Sequence, residues 1–355
     1  MKEQYKLGII GYGGMAGNHF KQLSKGNTKV SIKGVYDIDN ARLEAAKEQG
    51  LAAYNSRKEL LEDAEIDIVL VGATNEVHKE ISIEALRAGK HVICEKPVTM
   101  TSEELIEIME VAKETGKLFT VDQNRRVNKD FVLMRRCVEE GLIGKPYVIE
   151  SRVEGSRGVP AGWRTQREKG GGMMLDWGVH LIDQLMYMID EKIVDVYCKM
   201  FSVNYPEVDD NFRLTMTFES GLTAHIEVST NNFINHPRWY VLGTDGTLQI
   251  DDWACNGMIV KCLDRENEWD TEIKEVKAGP TKTMAPRSPE TVKTIKLCEP
   301  DDVTDNLDVV YEQLVDAIEG KAELTITPEQ ALRVMKVMEA CFKSAEMSEV
   351  IKVNI

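Results

Sequence analysis

The segment Leu7 to Gly17, LGIIGYGGMAG, constrains this chain more than any other stretch. A short apolar run, Tyr5 to Ile10, ends on Gly11, and helical spacing begins near Gly14. Gly11, Gly13 and Ala16 stand at the G-x-G-x-x-G/A spacing of a strand-to-helix turn that cradles a dinucleotide pyrophosphate. Gly11 permits the tight turn, a side chain at Gly13 would collide with phosphate, and Ala16 lets the helix lie close on the strand. Unpaired N–H groups at the helix start, including those of Gly14 and Met15, face the anion with help from the helix dipole. A second apolar run, Val30 to Tyr36, ends on Asp37. That is about twenty residues past the motif, where a carboxylate can bind the ribose 2′-hydroxyl. Such a carboxylate would repel a 2′-phosphate, so the expected cofactor is NAD and not NADP. Asp39 competes with Asp37 for this role on spacing alone.

The rest of the first 124 residues repeats strand and helix. Asn40 to Gln49 reads as a helix, and Leu60–Leu61 with the acids around them as a short turn. Ile66 to Val71 is an apolar run suited to a parallel strand buried on both faces. Glu76 to Ala88 is helical and stops at Gly89, His91 to Cys94 is a strand, Thr101 to Thr115 is a helix before Gly116, and Leu118 to Val121 is a strand. This is an α/β, doubly wound parallel sheet, with its cofactor crevice at the carboxyl ends of the strands. Residues at those ends are candidates for the cofactor site: Ala73 and Asn75, with His78 just beyond, and Glu95 and Lys96 of the Glu95-Lys96-Pro97 turn. Lys96 is held on a short stiff turn before proline. It reads equally as a surface lysine or as a desolvated cation that binds a substrate oxygen. A lone histidine such as His78 is more often structural than catalytic.

Residues 125–355 form a second domain of α+β type. Phe131 to Glu140 is helical, and period-two alternation then dominates. Val148 to Glu154, Asn211 to Glu219 and Leu222 to Ser229 alternate apolar with polar, the last two joined by a Glu219-Ser220-Gly221 hairpin turn. Arg238 to Leu242 and Thr247 to Ile250 flank another turn. The expectation is a large, mostly antiparallel open-faced sheet. Within it lies GGGMMLDWGVHLID, residues 170–183, read as a glycine loop and a helix from Met174 to Met188. Asp176, His180 and Asp183 at i, i+4 and i+7 share one helix face. Histidine beside a carboxylate can act as general acid or base, although an isolated pair of this kind is more often structural. A metal would need a further ligand, so none is expected. Residues 262–300, with Pro280, Pro286 and Pro289, read as a loop excursion, and Asp305 to Glu319 and Pro328 to Ser344 as closing helices.

Composition limits the partners. The 355 residues are 43% hydrophobic and 29% charged, as expected of a globular chain of two domains. A net charge of −15 argues against nucleic acid and anionic membranes. No apolar window approaches a membrane span, and Met1 leads into KEQYK without an apolar signal segment. Seven cysteines without a C-x-x-C pair suit reduced thiols in a cytoplasm.

Taken together, GIIGYGGMAG, AGKHVICEKPV (88–98) and GGGMMLDWGVHLID resemble the glucose–fructose oxidoreductase / inositol dehydrogenase / rhizopine-catabolism family, Gfo/Idh/MocA. The resemblance spans nearly the whole chain, including GLIGKP and LGTDGTLQI. It implies an N-terminal Rossmann domain and a C-terminal domain whose sheet serves homo-oligomer contacts. It also implies hydride transfer between NAD(P) and a secondary alcohol of a carbohydrate, cyclitol or polyol. Through the motifs, Lys96, Asp176 and His180 take the catalytic roles, with His180 the proton acceptor. Arg126, Trp163 and Arg164 join Lys96, Asp176 and His180 in the substrate pocket. C3 oxidation of a sugar or glycoside is the leading form, and the arginines and aromatics from Arg152 to Arg167 could hold a bulky glycoside. An NAD-dependent glycosidase working by transient oxidation and elimination, and a non-catalytic dinucleotide sensor, are the alternatives. In one place the chain departs from the family. The pattern T-P-N-x-x-H reads Ala73-Thr74-Asn75-Glu76-Val77-His78 here, so the loop without its proline is expected to be shaped differently.

Overall fold

A computed structural model of the chain describes residues 2–25, 28–264, 274–277, 279–281 and 287–355. Its first half alternates β1 (Tyr5–Ile10), α1 (Gly14–Leu23), β2 (Val30–Tyr36), α2 (Asn40–Glu48), β3 (Ala52–Ala53), α3 (Arg57–Glu62), β4 (Ile68–Val71), α4 (His78–Arg87), β5 (His91–Cys94), α5 (Ser102–Thr115) and β6 (Phe119–Val121). The six strands form one parallel sheet in the order β3-β2-β1-β4-β5-β6. All four residues of β4 are buried, as its unbroken aliphatic run requires. The order reverses between β1 and β4, which opens a crevice at their carboxyl ends. The expected turn at Leu60–Leu61 is the helix α3: the Ser56 hydroxyl caps the Glu59 N–H, and both leucines are buried beneath the sheet edge. The Thr101 side chain caps α5, and Gly116 ends it at φ 64°.

Gly11 has φ +93°, and a Cβ there would lie 2.4 Å from the Ala73 backbone nitrogen. The turn after β1 is thus pressed against the turn after β4, and the close approach excludes any side chain. A Cβ at Gly13 would meet only the Arg42 guanidinium, at 3.7 Å. The protein itself leaves that space open.

The second half continues with α6 (Lys129–Glu139), β7 (Pro146–Glu154), α7 (Val179–Met188), β8 (Ile193–Phe201), β9 (Asn211–Phe218), β10 (Thr223–Ser229), β11 (Trp239–Gly243), β12 (Gly246–Ile250), β13 (Gly257–Cys262), β14 (Lys274–Val276), β15 (Gly279–Thr281), β16 (Val292–Leu297), α8 (Asp308–Ile318), α9 (Pro328–Met347) and β17 (Ile351–Lys352). Nine strands form one sheet, β16-β13-β12-β11-β7-β10-β9-β8-β17. It is mostly antiparallel, but β7 and β10 run parallel because the chain crosses the sheet through α7 between them. The reading of residues 262–300 as a loop excursion fails where β16 pairs with β13 and where β14 pairs with β15. Residues 265–273, 278 and 282–286 of that reading, with Pro286, lie outside the described residues.

The closing helices part company. α9, with a Thr327–Gln330 capping box, packs along β8 and α7. α8 instead joins the core of the first sheet, where Tyr311 and Leu314 cluster with Leu7, Ile9 and Val35. Tyr311 also reaches the buried His19 of α1, its hydroxyl 2.8 Å from Nδ1. His19 Nε2 lies 2.9 Å from Glu95 Oε1 and 3.4 Å from Asp122 Oδ2. These three ligand-type residues are the one such group among the described residues, and here they form an ion cluster that ties α1 to the ends of β5 and β6.

Burial pushes the His19 imidazolium down, but hydrogen bonds to Asp122 and Glu95 outweigh it and raise the ring to about 9. A folded value above the unfolded value, near 6.5, makes this contribution fully present below about pH 6.5 and lost as pH rises through about 9. Its size is on the order of 3 kcal/mol by linkage. Urea unfolding should therefore show a stability gap between wild type and His19→Gln that shrinks from pH 6.5 to pH 9.5; a gap independent of pH would contradict the charged cluster. Gly11→Ala should lose about 1–3 kcal/mol or more. Gly13→Ala should melt within about 1 kcal/mol of wild type, the small loss of a less favourable N-cap residue, yet bind a dinucleotide far more weakly. Equal melting temperatures for the two variants would refute this division.

Candidate active site

The crevice is a cleft of about 1240 Å³ running from the glycine turn toward the second half of the chain. Gly11, Gly13, Gly14 and Met15 line one end, with Asp37 at its wall. Ala16 lies beneath them, buried, and its methyl would stand 3.8 Å from a Cβ on Gly72. The first turn of α1 carries no acidic side chain and its start has no side-chain cap. Its N–H groups are therefore available to an anion. Asp37 Oδ2 accepts from the Tyr12 N–H at 2.6 Å and Oδ1 from the Asp39 N–H at 2.8 Å. The carboxylate is thereby fixed against the glycine turn, with Arg42 3.3 Å away. Asp39, the competitor, caps α2 through the Ala41 N–H. These features fit a dinucleotide: an open cradle at Gly13, free helix-end donors and a fixed carboxylate at the carboxyl end of β2.

Farther along the cleft stand Ala73, Asn75, Glu95 and Lys96. The Asn75 amide donates to the Gly170 carbonyl at 3.0 Å and joins the loop after β4 to the glycine loop of the second half. Thr74, at the position of the missing proline, has φ −79° and ψ 152°. That is close to what a proline ring imposes, so the loop keeps a proline-like backbone without the proline. His78 is fully buried behind the cleft wall, with Nδ1 3.0 Å from the Pro97 carbonyl and Nε2 3.1 Å from that of Ala73. The ring props two strand ends and presents no nitrogen to the cleft. Glu95 turns inward to His19.

Lys96 reaches across to Asp176, donating to Oδ1 at 2.9 Å and to the main-chain oxygen at 2.8 Å. Arg164 Nε takes the other carboxylate oxygen, at 2.9 Å. Burial pushes Asp176 up, but the Lys96 and Arg164 charges overcome it and hold the carboxyl below its usual range. Trp163 and Arg164 both line the cleft, and the guanidinium lies 4.5 Å over the Trp163 ring.

The expected regular helix from Met174 is two pieces. Met174–Gly178 is a wider π-turn, and α7 begins at Val179. Gly178 allows it: a Cβ there would lie 2.6 Å from Met174 Sδ and 3.2 Å from Phe212. Asp209 Oδ2 accepts the Met174 N–H at 2.7 Å and fixes the start of the turn. The extra turn width changes which residues meet, as π-bulges at functional sites do. Among the described residues no hydrogen bond joins Asp176 to His180. Asp176 faces Lys96 and Arg164, while Asp183 is bound by Arg126 at 2.6 and 2.7 Å. His180 is buried with Nδ1 unpartnered. Burial, Lys96 and Arg125 together hold its pKa well below the ordinary value, so the ring is neutral.

Arg126 stands apart from the cleft. Its three nitrogens go to Asp183, Thr325 O and Gln330 Oε1, its guanidinium lies over Tyr187, and it lines a separate cavity of about 370 Å³. The neighbouring Arg125 is the one that faces Trp177 and His180. Arg152 pairs with Glu150 on the sheet, and Arg167 donates to the Glu207 carbonyl, so neither joins Arg164. Sequence reasoning also missed Trp253, whose ring centroid lies 5.9 Å from that of Trp177. No helix among the described residues is long and apolar enough to cross a membrane.

Comparison with known proteins agrees with this geometry. Residues 5–123 match the model of an oxidoreductase family with an NAD-binding Rossmann fold, and residues 131–249 match the GFO/IDH/MocA C-terminal domain. A solved NAD-binding protein from Listeria innocua is 42% identical with a TM-score of 0.88, over 99% of this chain and 97% of that one. An uncharacterized oxidoreductase of Schizosaccharomyces pombe is 31% identical over 85% of each chain. The 1,5-anhydro-D-fructose reductase of Ensifer adhaerens is 34% identical over 57% of this chain and 62% of its own. Inositol 2-dehydrogenase of Salmonella typhimurium is 28% identical over 64% and 67%. Family models matched over both halves, on a chain with an open glycine turn, a carboxylate at the end of β2 and a lysine–aspartate pair near a neutral histidine, show that it belongs to the GFO/IDH/MocA oxidoreductase family, whose cofactor is NAD.

Proposed function

We propose that this protein is a dehydrogenase that moves a hydride between NAD and a secondary hydroxyl of a sugar, glycoside or cyclitol. The observation that carries the reading is Lys96 held on Asp176 beside the neutral ring of His180. When bound, NAD supplies the hydride acceptor. Gly11, Gly13, Gly14 and Met15 would cradle its pyrophosphate, Asp37 would hold its ribose, and Ala73, Asn75 and Glu95 would border its far end. Residues 1–124 form the cofactor domain in this reading, and 125–355 the substrate domain.

The chemistry follows from the side chains. A hydroxyl losing hydride from its carbon also loses its proton, and a neutral imidazole can accept it. His180 Nδ1 is enclosed, which leaves Nε2 for the substrate. The Lys96 ammonium stabilises the alkoxide that develops, and its two bonds to Asp176 hold it in place beforehand. Asp176 and Arg164 bind neighbouring hydroxyls, and Trp163 closes the mouth. The C3 hydroxyl of a pyranose is the leading reaction centre. The names of the anhydrofructose reductase and inositol dehydrogenase relatives support carbohydrate or cyclitol substrates.

The outward face of the large sheet supports self-association. Val148, Leu242, Thr247 and Val260 lie in one row across β7, β11, β12 and β13, with Met258 exposed beside them. Two copies would bury this row together. Light scattering after gel filtration should give a dimer or larger assembly, shifted toward monomer by Leu242→Arg; a monomeric wild type would overturn this.

Catalysis is tested by NADH absorbance with hexoses, cyclitols, sugar acids and aryl glycosides. Lys96→Ala and His180→Ala should each lower kcat/KM by roughly 10²–10⁴-fold while NADH binding persists. Because the free-enzyme His180 titrates well below 6.5, kcat/KM should not fall as pH drops through 6.5. Near-normal rates in both variants would refute the assignment. Release of aglycone without NADH would identify the glycosidase alternative, and nucleotide binding without turnover of any compound would identify a sensor.

A further inference from the structure

One cation near His180 has no role in this mechanism. Lys96 and Arg164 share Asp176, Arg126 is bound to Asp183, and Arg238 Nε lies 3.2 Å from Asp130. Arg125 differs from all of them. Among the described residues it forms no ion pair, and its only side-chain hydrogen bond is a long one, 3.4 Å, to Asn128 Oδ1. It sits on the short turn Asn124–Val127 after β6, half-buried. Its main-chain oxygen accepts from Gln184 of α7 at 2.8 Å, which fixes the backbone. Its guanidinium lies 4.9 Å from the ring centroid of Trp177 and 5.7 Å from that of Trp253. The Trp177 ring is in turn 5.9 Å from the His180 ring.

Each of these features bears on recognition. A guanidinium withdrawn from water is costly unless an anion meets it. Stacking on the indoles partly compensates and holds the plane of the fork. The edge of a stacked guanidinium stays free to donate two parallel N–H bonds, the geometry that suits a planar carboxylate. Trp253 is 46% exposed and also carries the Arg238 guanidinium, 4.6 Å from its ring centroid, and its exposed part supplies apolar surface for a sugar ring.

We infer that Arg125, held by Trp177 and Trp253, is the recognition group for a carboxylate on the substrate, so that the substrate class is a sugar acid, a hexuronate or hexonate. This rests on the dehydrogenase reading and narrows it. Arg125 makes no new bond in the reaction: His180 still takes the hydroxyl proton and the hydride still leaves the same carbon. A bound carboxylate would also offset the repulsion that Arg125 exerts on a proton arriving at His180. The anion thus serves both to place the substrate and to make the base more effective.

The test pairs each acid with its neutral parent: glucuronate with glucose, galacturonate with galactose, gluconate with glucitol. For wild type, NADH formation should favour at least one acid over its parent by roughly ten- to hundred-fold in kcat/KM. The preference should weaken as salt rises. Arg125→Gln should collapse the acid-to-parent ratio mainly through KM, and Arg125→Lys should restore part of it. A folding defect lowers both members of a pair alike and leaves the ratio intact. Tryptophan fluorescence of the NADH-loaded protein, titrated with the same pairs, reads binding without turnover. Acid-selective quenching that Arg125→Gln abolishes, with no NADH formed from any compound, upholds the carboxylate site and overturns the dehydrogenase reading. Equal turnover of acids and parents, or a preference that survives Arg125→Gln, overturns the carboxylate site and leaves the dehydrogenase standing. No acid-selective response in either assay overturns it as well.

Discussion

One carboxylate organises the end of the cleft where catalysis is proposed. Asp176 gives one oxygen to Lys96 and the other to Arg164. Three segments that are distant in sequence therefore meet on a single group: the turn after β5, the loop that follows β7, and the π-turn before α7. The main-chain oxygen of Asp176 accepts a second bond from Lys96, so the ammonium is located by backbone as well as by charge. Two cations on one buried anion keep Asp176 ionised despite burial. Burial, with the Lys96 and Arg125 charges, keeps the neighbouring His180 ring neutral.

The π-turn explains why this contact was only partly legible. Asp176 and His180 are four residues apart, and in a regular α-helix they would lie one above the other. Gly178 lets the segment pack against Phe212 and Met174 with an additional residue in the turn. Asp176 then points to Lys96 and not to His180. No local pattern announces a π-turn, because its cause is close packing on β9. The same holds for Arg126. Two consecutive arginines follow β6, and which of them faces Trp177 and His180 depends on the phase of a short turn and on Asp183, supplied 57 residues later.

The Rossmann half was legible because its constraints are local. The glycine spacing follows from sterics at Gly11 against Ala73, and the aliphatic runs of β1, β4 and β5 mark strands buried on both faces. Among the strands that escaped notice are β8 with its irregular register, and β13 and the sheet-edge strand β16. Parallel pairing of β7 with β10 could not be read from alternation either, since a strand's pattern is the same whichever way its neighbour runs. Trp253 carried no signal, lying in a turn whose only distinction is which side chains it meets across the sheet.

His19 shows how the two ends of the cleft are joined. It lies on α1, whose first turn faces the phosphate cradle, and it holds Glu95, the residue before Lys96. Its other nitrogen meets Tyr311 from α8, which returns from the far end of the chain to pack on the first sheet. A shift of α1 would be transmitted to Glu95 through this bond, whose partners lie almost wholly out of solvent. Glu95 adjoins Lys96, and Lys96 is fixed to Asp176. The glycine turn and Lys96 are thus linked through α1, His19 and Glu95, and in the proposed reading the substrate domain joins them at Asp176. Preorganisation of this kind lowers the cost of assembling the site when substrate arrives, and it depends on residues that never touch the substrate.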